Sequence, residues 1–108
     1  MYTLDLTDSK TKEVTTLTQT SVNGKHLITA LKIHTAVYED EVESTMALIN
    51  FVADLFDVKA NDILEGIQAH ELMDKMYEVY YKVLGYSEKK SQKLIQFMKD
   101  GEMEPELD

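Results

Sequence analysis

Residues 46–56 read MALINFVADLF, and only Asn50 and Asp54 among them are polar. Because these two residues lie four positions apart, a helix through the segment has one narrow polar strip and is apolar around the rest of its circumference. We predict such a helix from Val42 to Phe56. It is either the central helix of a bundle, wrapped by the other elements, or it divides its apolar surface between the core and a partner.

Length, charge and composition exclude several classes of protein function. The chain has 108 residues, which suffices for one compact domain and excludes a two-domain enzyme. Its formal net charge is −9, and its 11 Lys and Arg positions are all lysine, so it has no guanidinium group for bidentate phosphate recognition. We therefore expect no direct binding to nucleic acid. The absence of cysteine removes disulfides, thiolate metal sites and a cysteine nucleophile.

Targeting and membrane signals are not expected. The first residues, MYTLD, have no basic flank followed by an apolar run, as a signal peptide would. The apolar segment 46–56 is too short to cross a bilayer. We expect a soluble intracellular protein that does not bind membranes.

The first twenty residues predict a β-hairpin. Tyr2, Leu4 and Leu6 alternate with polar residues, which places three apolar groups on one face of a strand. Residues 8–12 are polar and predict a loop, and residues 13–18 are rich in β-branched side chains that suit a second strand. A hairpin alone is marginally stable, so we expect it to pack on the helices that follow.

A helix is predicted over residues 25–38, before the apolar segment. Its apolar positions recur at helical spacing, at Leu27, Leu31, His34 and Tyr38, and Ile28 and Ala30 broaden the stripe. This spacing is typical of the stripe that a helix turns toward a core.

Three more helices are predicted toward the C-terminus. Asp62 and Glu65 fit a capping box that opens a short helix, and Gly66 ends it. A longer helix is predicted over residues 69–84, and Ser87 is placed to cap a last one.

The expected fold is therefore mainly α, a small helical domain of four to five helices with an N-terminal β-hairpin. We place the single domain at residues 1–99, with the hairpin in residues 1–20 and the helices in residues 23–99. Residues 100–108 combine acidic residues with Gly and Pro and few apolar side chains, and they predict a mobile acidic tail.

No motif predicts catalysis or a bound cofactor. The sequence HELMD at 70–74 resembles half of a zinc-protease helix, but its second ligand position is Asp and the chain has only 3 histidines. No calcium loop, nucleophile elbow or phosphate-binding glycine cluster is present. We predict a protein that is not an enzyme, with no catalytic, metal-binding or cofactor-binding residues.

The order of several motifs is distinctive. A threonine-rich hairpin is followed by SVNGKHL at 21–27, INFVADLF at 49–56 and NDILEGI at 61–67, with a long helix rich in Met and Tyr behind them. In this order, residues 2–85 resemble the small tail assembly chaperones of siphophages and prophages of Gram-positive bacteria.

The resemblance implies a partner and a place of action. Such a chaperone keeps the tape measure protein, a long helical chain that sets tail length, soluble until the tube subunits polymerise around it. This implies action in the host cytoplasm and absence from the mature virion. It also implies assembly into rings or spirals, and for many members a second, longer product made by frameshifting. The resemblance implies no catalytic residues and no cofactor.

The residues themselves indicate how such a protein would hold a helical client. Surplus apolar helix surface can receive an amphipathic helix in a groove, and flexible methionine side chains adapt to different client sequences. Tyrosines one turn apart are also enriched where proteins meet, although core packing is the alternative for both residue types. We expect the partner-binding residues to be Met46, Leu48, Phe51, Leu55, Met73, Tyr77 and Tyr81.

Two other functions remain open at this point. The acidic run at 39–43 and the acidic C-terminal residues would suit a nucleic-acid mimic that inhibits a host DNA-binding protein. The lysines within residues 89–93 and the apolar helix are features that a charge mimic does not need. A third possibility is a purely structural assembly subunit, whose apolar face closes a ring.

Overall fold

A two-stranded antiparallel hairpin and five helices make up the described part of the chain. The structure, a computed structural model, describes residues 1–85 and the backbone of residues 88–100, with the side chains of residues 89, 90 and 92–97. The elements are β1 (Tyr2–Thr7), β2 (Val14–Gln19), α1 (Gly24–Thr35), α2 (Glu41–Phe56), α3 (Ala60–Gly66), α4 (Ala69–Val83) and α5 (Glu88–Asp100). The predicted fold class, a mainly helical domain of four to five helices with an N-terminal β-hairpin, is confirmed.

Helix α2 lies at the centre of the fold. It contacts α1, α3, α4 and β2, and from Leu48 onward only Asn50 and Asp54 are exposed. The helix begins one residue before the predicted start, where the Asp40 carboxylate accepts a hydrogen bond from the Glu43 amide at 2.8 Å. From Leu48 to Phe56 its neighbours cover nearly the whole circumference, which explains why only Asn50 and Asp54 are polar there.

The hairpin packs against the C-terminal end of α2 and against α3. Leu4 on β1 is buried, and the Gln19 amide on β2 donates to the carbonyl oxygen of Leu55 at 3.1 Å. A Cβ atom added at Gly66 would lie 2.9 Å from Cβ of Leu6, which is closer than two carbon atoms can approach. Glycine at the end of α3 therefore allows β1 to pack directly against that helix.

The hairpin turn depends on one carboxylate. Asp8 Oδ1 accepts hydrogen bonds from the backbone amides of Thr11 at 2.9 Å and Lys10 at 2.8 Å. These bonds favour the charged form, so they lower the pKa of Asp8. Lys12 adopts a left-handed conformation with φ of 65°, which turns the chain toward β2.

Helix α1 is shorter than predicted. It ends at Thr35, so Tyr38 lies in the connection to α2 instead of on the helix. Ala36, the residue after the helix, has extended backbone angles, and its amide donates to the carbonyl oxygen of Ile33. The helical spacing of Tyr38 is therefore a coincidence of sequence.

The predicted buried stripe of α1 is wrong at most of its positions. Leu27 and Leu31 are 37% and 43% exposed, and His34 is exposed. Within the predicted stripe Ala30 alone is fully buried, with no exposed surface, and Ile33, which the prediction left out, is partly buried. Apolar spacing identified a real apolar arc of the helix, but tertiary packing buries its Ala30 edge and leaves Leu27, Ile28 and Leu31 exposed.

The start of α3 corrects a second prediction. The helix begins at Ala60, and Asp62 is its third residue instead of its cap. The Asp62 carboxylate accepts a hydrogen bond from the backbone amide of Lys59 at 3.2 Å, so it stabilises the helix start from inside. The predicted capping box of Asp62 with Glu65 is therefore wrong, whereas the end at Gly66 is confirmed.

Helix α4 begins at Ala69 as predicted and stops one residue early, just before a turn in which Gly85 has φ of 90°. Helix α5 packs on α4, with Ile95 buried. Ser87, the predicted cap, and residues 101–108 of the predicted tail lie outside the described residues. Among the helices described, each is too short or too polar to cross a membrane.

Candidate functional site

A groove with a volume of about 310 Å³ lies between α4 and the junction of α1 with α2. Helix α4 contributes Met73, Tyr77 and Tyr81 to its lining, α2 contributes Leu48, and the connection before α2 contributes Tyr38. This volume is near the lower end of the roughly 300–1,000 Å³ that ligand sites occupy, so the groove has room for a few apolar side chains.

Stacked tyrosines form one wall of the groove. Tyr77 and Tyr81 lie one turn apart on α4, and their ring centroids are 5.5 Å apart with an interplanar angle of 26°. The ring of Tyr80 meets Tyr77 edge-on at 6.1 Å and meets Phe51 edge-on at 6.2 Å. Each such pair contributes about 0.5–1.5 kcal/mol beyond the area it buries. The groove wall is thus continuous with the core and is formed before any partner arrives.

Tyr77 combines an apolar ring with a neutral polar group. Its side chain is partly buried, and this burial raises the pKa of the Tyr77 hydroxyl above its usual value. The hydroxyl therefore stays protonated at neutral pH and can both donate and accept a hydrogen bond. Such a residue suits a protein interface, where one end of the side chain is covered and the other remains hydrated.

The groove brings together four of the seven predicted partner-binding residues. Met73, Tyr77 and Tyr81 are partly buried and line it. Leu48 also lines it but is only 3% exposed, so it forms the base of the groove. Sequence reasoning missed the contribution of Tyr38, which no local pattern connects to α4.

The other three predicted residues lie elsewhere. Phe51 and Leu55 are 5% and 1% exposed, and both belong to the central core. Their burial leaves them almost no surface for a partner in this structure. Met46 is partly buried and packs against the core outside the groove lining.

A second apolar surface lies on α1, and we call Leu27, Ile28 and Leu31 the α1 outer face. These side chains are 37%, 53% and 43% exposed. Lys25 precedes Ile28 by three residues and Lys32 follows it by four, so both lysines flank the outer face. The sequence contained a signal for this surface, because α1 carries more apolar residues than one buried face requires.

The acidic run before α2 has a structural role. Glu43 Oε1 accepts a hydrogen bond from the backbone amide of Glu39 at 2.8 Å, and Asp40 caps the helix. Negative charge at a helix N-terminus is stabilising because the exposed amides there carry partial positive charge. At least part of the acidic surface is therefore explained by α2 itself.

The HELMD sequence at 70–74, which resembles half of a zinc-protease helix, forms no metal centre with the other residues that the structure describes. His70 Nε2 lies 3.8 Å from Glu71 Oε2, and both side chains are largely exposed. Within residues 1–85 and 88–100, as far as their side chains are described, no three His, Asp or Glu residues converge on a point that could hold an ion.

The comparisons with known proteins identify the family. A family model described as phage tail chaperone protein matches residues 1–97. The chain belongs to the phage tail chaperone family. The match includes both strands, helices α1 to α4 and most of α5. Comparison with curated proteins and with solved structures gave no match.

The resemblance noted in the sequence is thus confirmed at the level of a phage tail chaperone. This family consists of assembly chaperones and is not an enzyme family. A tail chaperone acts during assembly of the tail and not as a part of the virion. The groove and the α1 outer face are therefore candidate contact surfaces for a tail protein.

Proposed function

We propose that this tail chaperone binds the tape measure protein of a siphophage or prophage of Gram-positive bacteria and keeps it soluble until the tail tube forms. The observation that carries the proposal is the preformed groove on α4, lined by Met73, Tyr77 and Tyr81 with Leu48 at its base. A tail chaperone needs such an apolar, adaptable surface to cover a long helical client.

The groove would act by burying client side chains without any chemical step. Each apolar side chain that leaves water is stabilised by about 25 cal/mol per Å² of buried surface. Because the groove is small, one contact is weak, and polymerising tube subunits can displace it. The net charge of −9 makes loaded chaperones repel one another, which keeps the complexes in solution.

Assembly into a ring or spiral along the client belongs to the same proposal. Several copies bound to neighbouring segments of one long chain would convert weak contacts into a stable complex through high effective concentration. The site of action in this proposal is the host cytoplasm, where the client is synthesised.

Coexpression with the tape measure protein of the same phage tests the proposal. The readout is the soluble fraction of the client and its co-elution with the chaperone. We expect the wild-type chaperone to solubilise the client and Tyr77→Asp to fail while keeping its helical circular dichroism. Leu64→Asp is the control, because Leu64 on α3 is 41% exposed and lies outside the groove lining.

Salt dependence separates this function from the nucleic-acid mimic. An apolar contact in the groove persists at high salt, whereas contacts made through exposed carboxylates weaken. If the chaperone instead captures a DNA-binding host protein that is lost as salt rises, or if a folded wild-type chain leaves the tape measure protein insoluble, the proposal is wrong.

A further inference from the structure

Helix α1 is held to the fold by one side and presents an apolar surface on another. Of its twelve residues only Ala30 is fully buried, and the Tyr80 hydroxyl donates to the Ala30 carbonyl oxygen at 3.4 Å. The centre of the α1 outer face points elsewhere, because Leu31 and Ile28 lie about 100° and 160° around the helix from Ala30, with Leu27 about 60° away at the near edge. The helix thus carries one broad apolar arc, of which the fold buries only the part around Ala30 and Ile33.

The charged residues of α1 that flank the outer face are basic, in an otherwise acidic chain. Helix α1 contains Lys25 and Lys32 and has no acidic residue. Neither lysine forms an ion pair with a side chain that the structure describes. Ile28 lies between them on the helix surface, so the positive charge borders one edge of the apolar face.

These charges determine what kind of helix fits. An amphipathic partner helix would place its apolar stripe on Leu27 and Leu31 and its flanking residues beside Lys25 and Lys32. Flanking glutamates or aspartates would be attracted there, and flanking lysines repelled. A second copy of α1 is a poor occupant, because a two-fold contact would bring the lysines of both copies into one interface.

We propose that the α1 outer face binds an amphipathic helix of the client whose apolar stripe is bordered by acidic residues. This inference rests on the proposed function and names the chemistry of the client segment. Helix α1 also contributes Ile33 and His34 to the groove lining, and His34 follows Leu31 by one turn, so the two surfaces adjoin on one helix. The client would then be held at two places, by apolar insertion in the groove and by a helix-to-helix contact on α1.

A pair of synthetic peptides tests the charge preference. Both are amphipathic helices of about five turns with the same leucine stripe, and they differ only in carrying glutamate or lysine beside that stripe. Binding to the full-length chaperone is measured by fluorescence anisotropy at low and high salt. We expect the glutamate peptide to bind at least about tenfold more tightly, with the difference shrinking as salt rises. Equal binding, or tighter binding of the lysine peptide, would overturn the proposal.

Matched variants locate the apolar contact. Leu31→Ser should weaken binding of the glutamate peptide by about tenfold, and Leu64→Ser should leave it nearly unchanged. The two leucines are 43% and 41% exposed, so they differ in position and hardly in accessibility. Circular dichroism and thermal unfolding confirm that both variants fold. If the two variants bind the peptide equally well, the α1 outer face is not the site.

Charge reversal locates the basic edge. Lys25→Glu combined with Lys32→Glu should reverse the peptide preference toward the lysine peptide. Lys10→Glu combined with Lys12→Glu, in the exposed hairpin turn, makes the same change in net charge and should retain the wild-type preference. If both double variants shift the preference alike, only the overall charge matters and the proposal fails.

Sedimentation of the wild-type chaperone tests whether a second copy occupies the α1 outer face. If the wild-type chain self-associates and Leu31→Ser abolishes that association, a second copy is the occupant and the assignment to the client is overturned.

Failure of this inference can be separated from failure of the proposed function. If Tyr77→Asp abolishes client solubility while the α1 variants change neither solubility nor peptide binding, the proposed function stands and the α1 assignment is wrong. If the wild-type chain leaves the tape measure protein insoluble but prefers the glutamate peptide through α1, the surface is supported and the proposed client is wrong.

Discussion

The hydroxyl group of Tyr80 on α4 donates a hydrogen bond to the carbonyl oxygen of Ala30 on α1, at 3.4 Å in a buried position. This contact joins helices that are fifty residues apart in the chain. It places the small side chain of Ala30 against the core, and it leaves the larger Leu27 and Leu31 exposed. The contact is one of those that orient α1, which contributes residues to both candidate contact surfaces.

Removing the Tyr80 hydroxyl should therefore destabilise the fold. Tyr80→Phe keeps the ring and its packing against Phe51 but leaves the Ala30 carbonyl without this donor. We expect a loss of about 1 kcal/mol in the free energy of unfolding, which is the usual net value of a buried hydrogen bond. Urea denaturation measures it. An unchanged midpoint would show that the hydroxyl does not hold α1 in place.

Phe51 is a core residue in this structure, and its truncation should act on stability. Phe51→Ala removes a side chain that is 5% exposed, and we expect the free energy of unfolding to fall by about 3–5 kcal/mol. Phe97→Ala, on α5, removes a side chain that is 43% exposed and should cost less than about 1 kcal/mol. Equal losses for the two variants would contradict the central position of α2.

A methyl group at Gly66 should be poorly tolerated. Gly66→Ala would place Cβ 2.9 Å from Cβ of Leu6, and overpacking of this kind costs about 1–3 kcal/mol. Gly24→Ala is the control, because no atom lies within 4 Å of its added Cβ, and it should be neutral or stabilising by up to about 1 kcal/mol. The measurement is thermal unfolding. Leu6→Gly removes the Cβ atom that the new methyl group meets, so the double variant Leu6→Gly with Gly66→Ala should lose less stability than the sum of the two single variants. Additive losses would place the strain elsewhere.

The hairpin turn should depend on pH through Asp8. Hydrogen bonds from the Thr11 and Lys10 amides lower the pKa of this carboxyl in the folded state. The resulting stabilisation is fully present above the unfolded-state pKa and is lost as the pH falls through the lower folded-state pKa. Titration by NMR should show the amide signals of Thr11 and Lys10 moving with the Asp8 carboxyl, at a pH below that of an unstructured Asp. A titration at or above the usual Asp value would contradict the turn geometry.

Features set by neighbouring residues were predictable from the chain. Residues 46–56 have too few polar positions for a surface helix, and α2 is indeed central. The alternation at β1, the stop of α3 at Gly66 and the one-turn pairing of Tyr77 with Tyr81 also follow from spacing along the backbone. Each of these depends on periodicity or on local backbone geometry, which the sequence records directly.

The orientation of α1 and the groove were decided by contacts between distant segments. Leu27 with Leu31 and Ala30 with Ile33 both have helical spacing, so periodicity alone could not choose the buried pair. The choice depends on how closely α1 can approach α4, and a small residue beneath the Tyr80 hydroxyl allows that approach. The groove likewise joins side chains from three elements, and its shape exists only once α1, α2 and α4 are packed together.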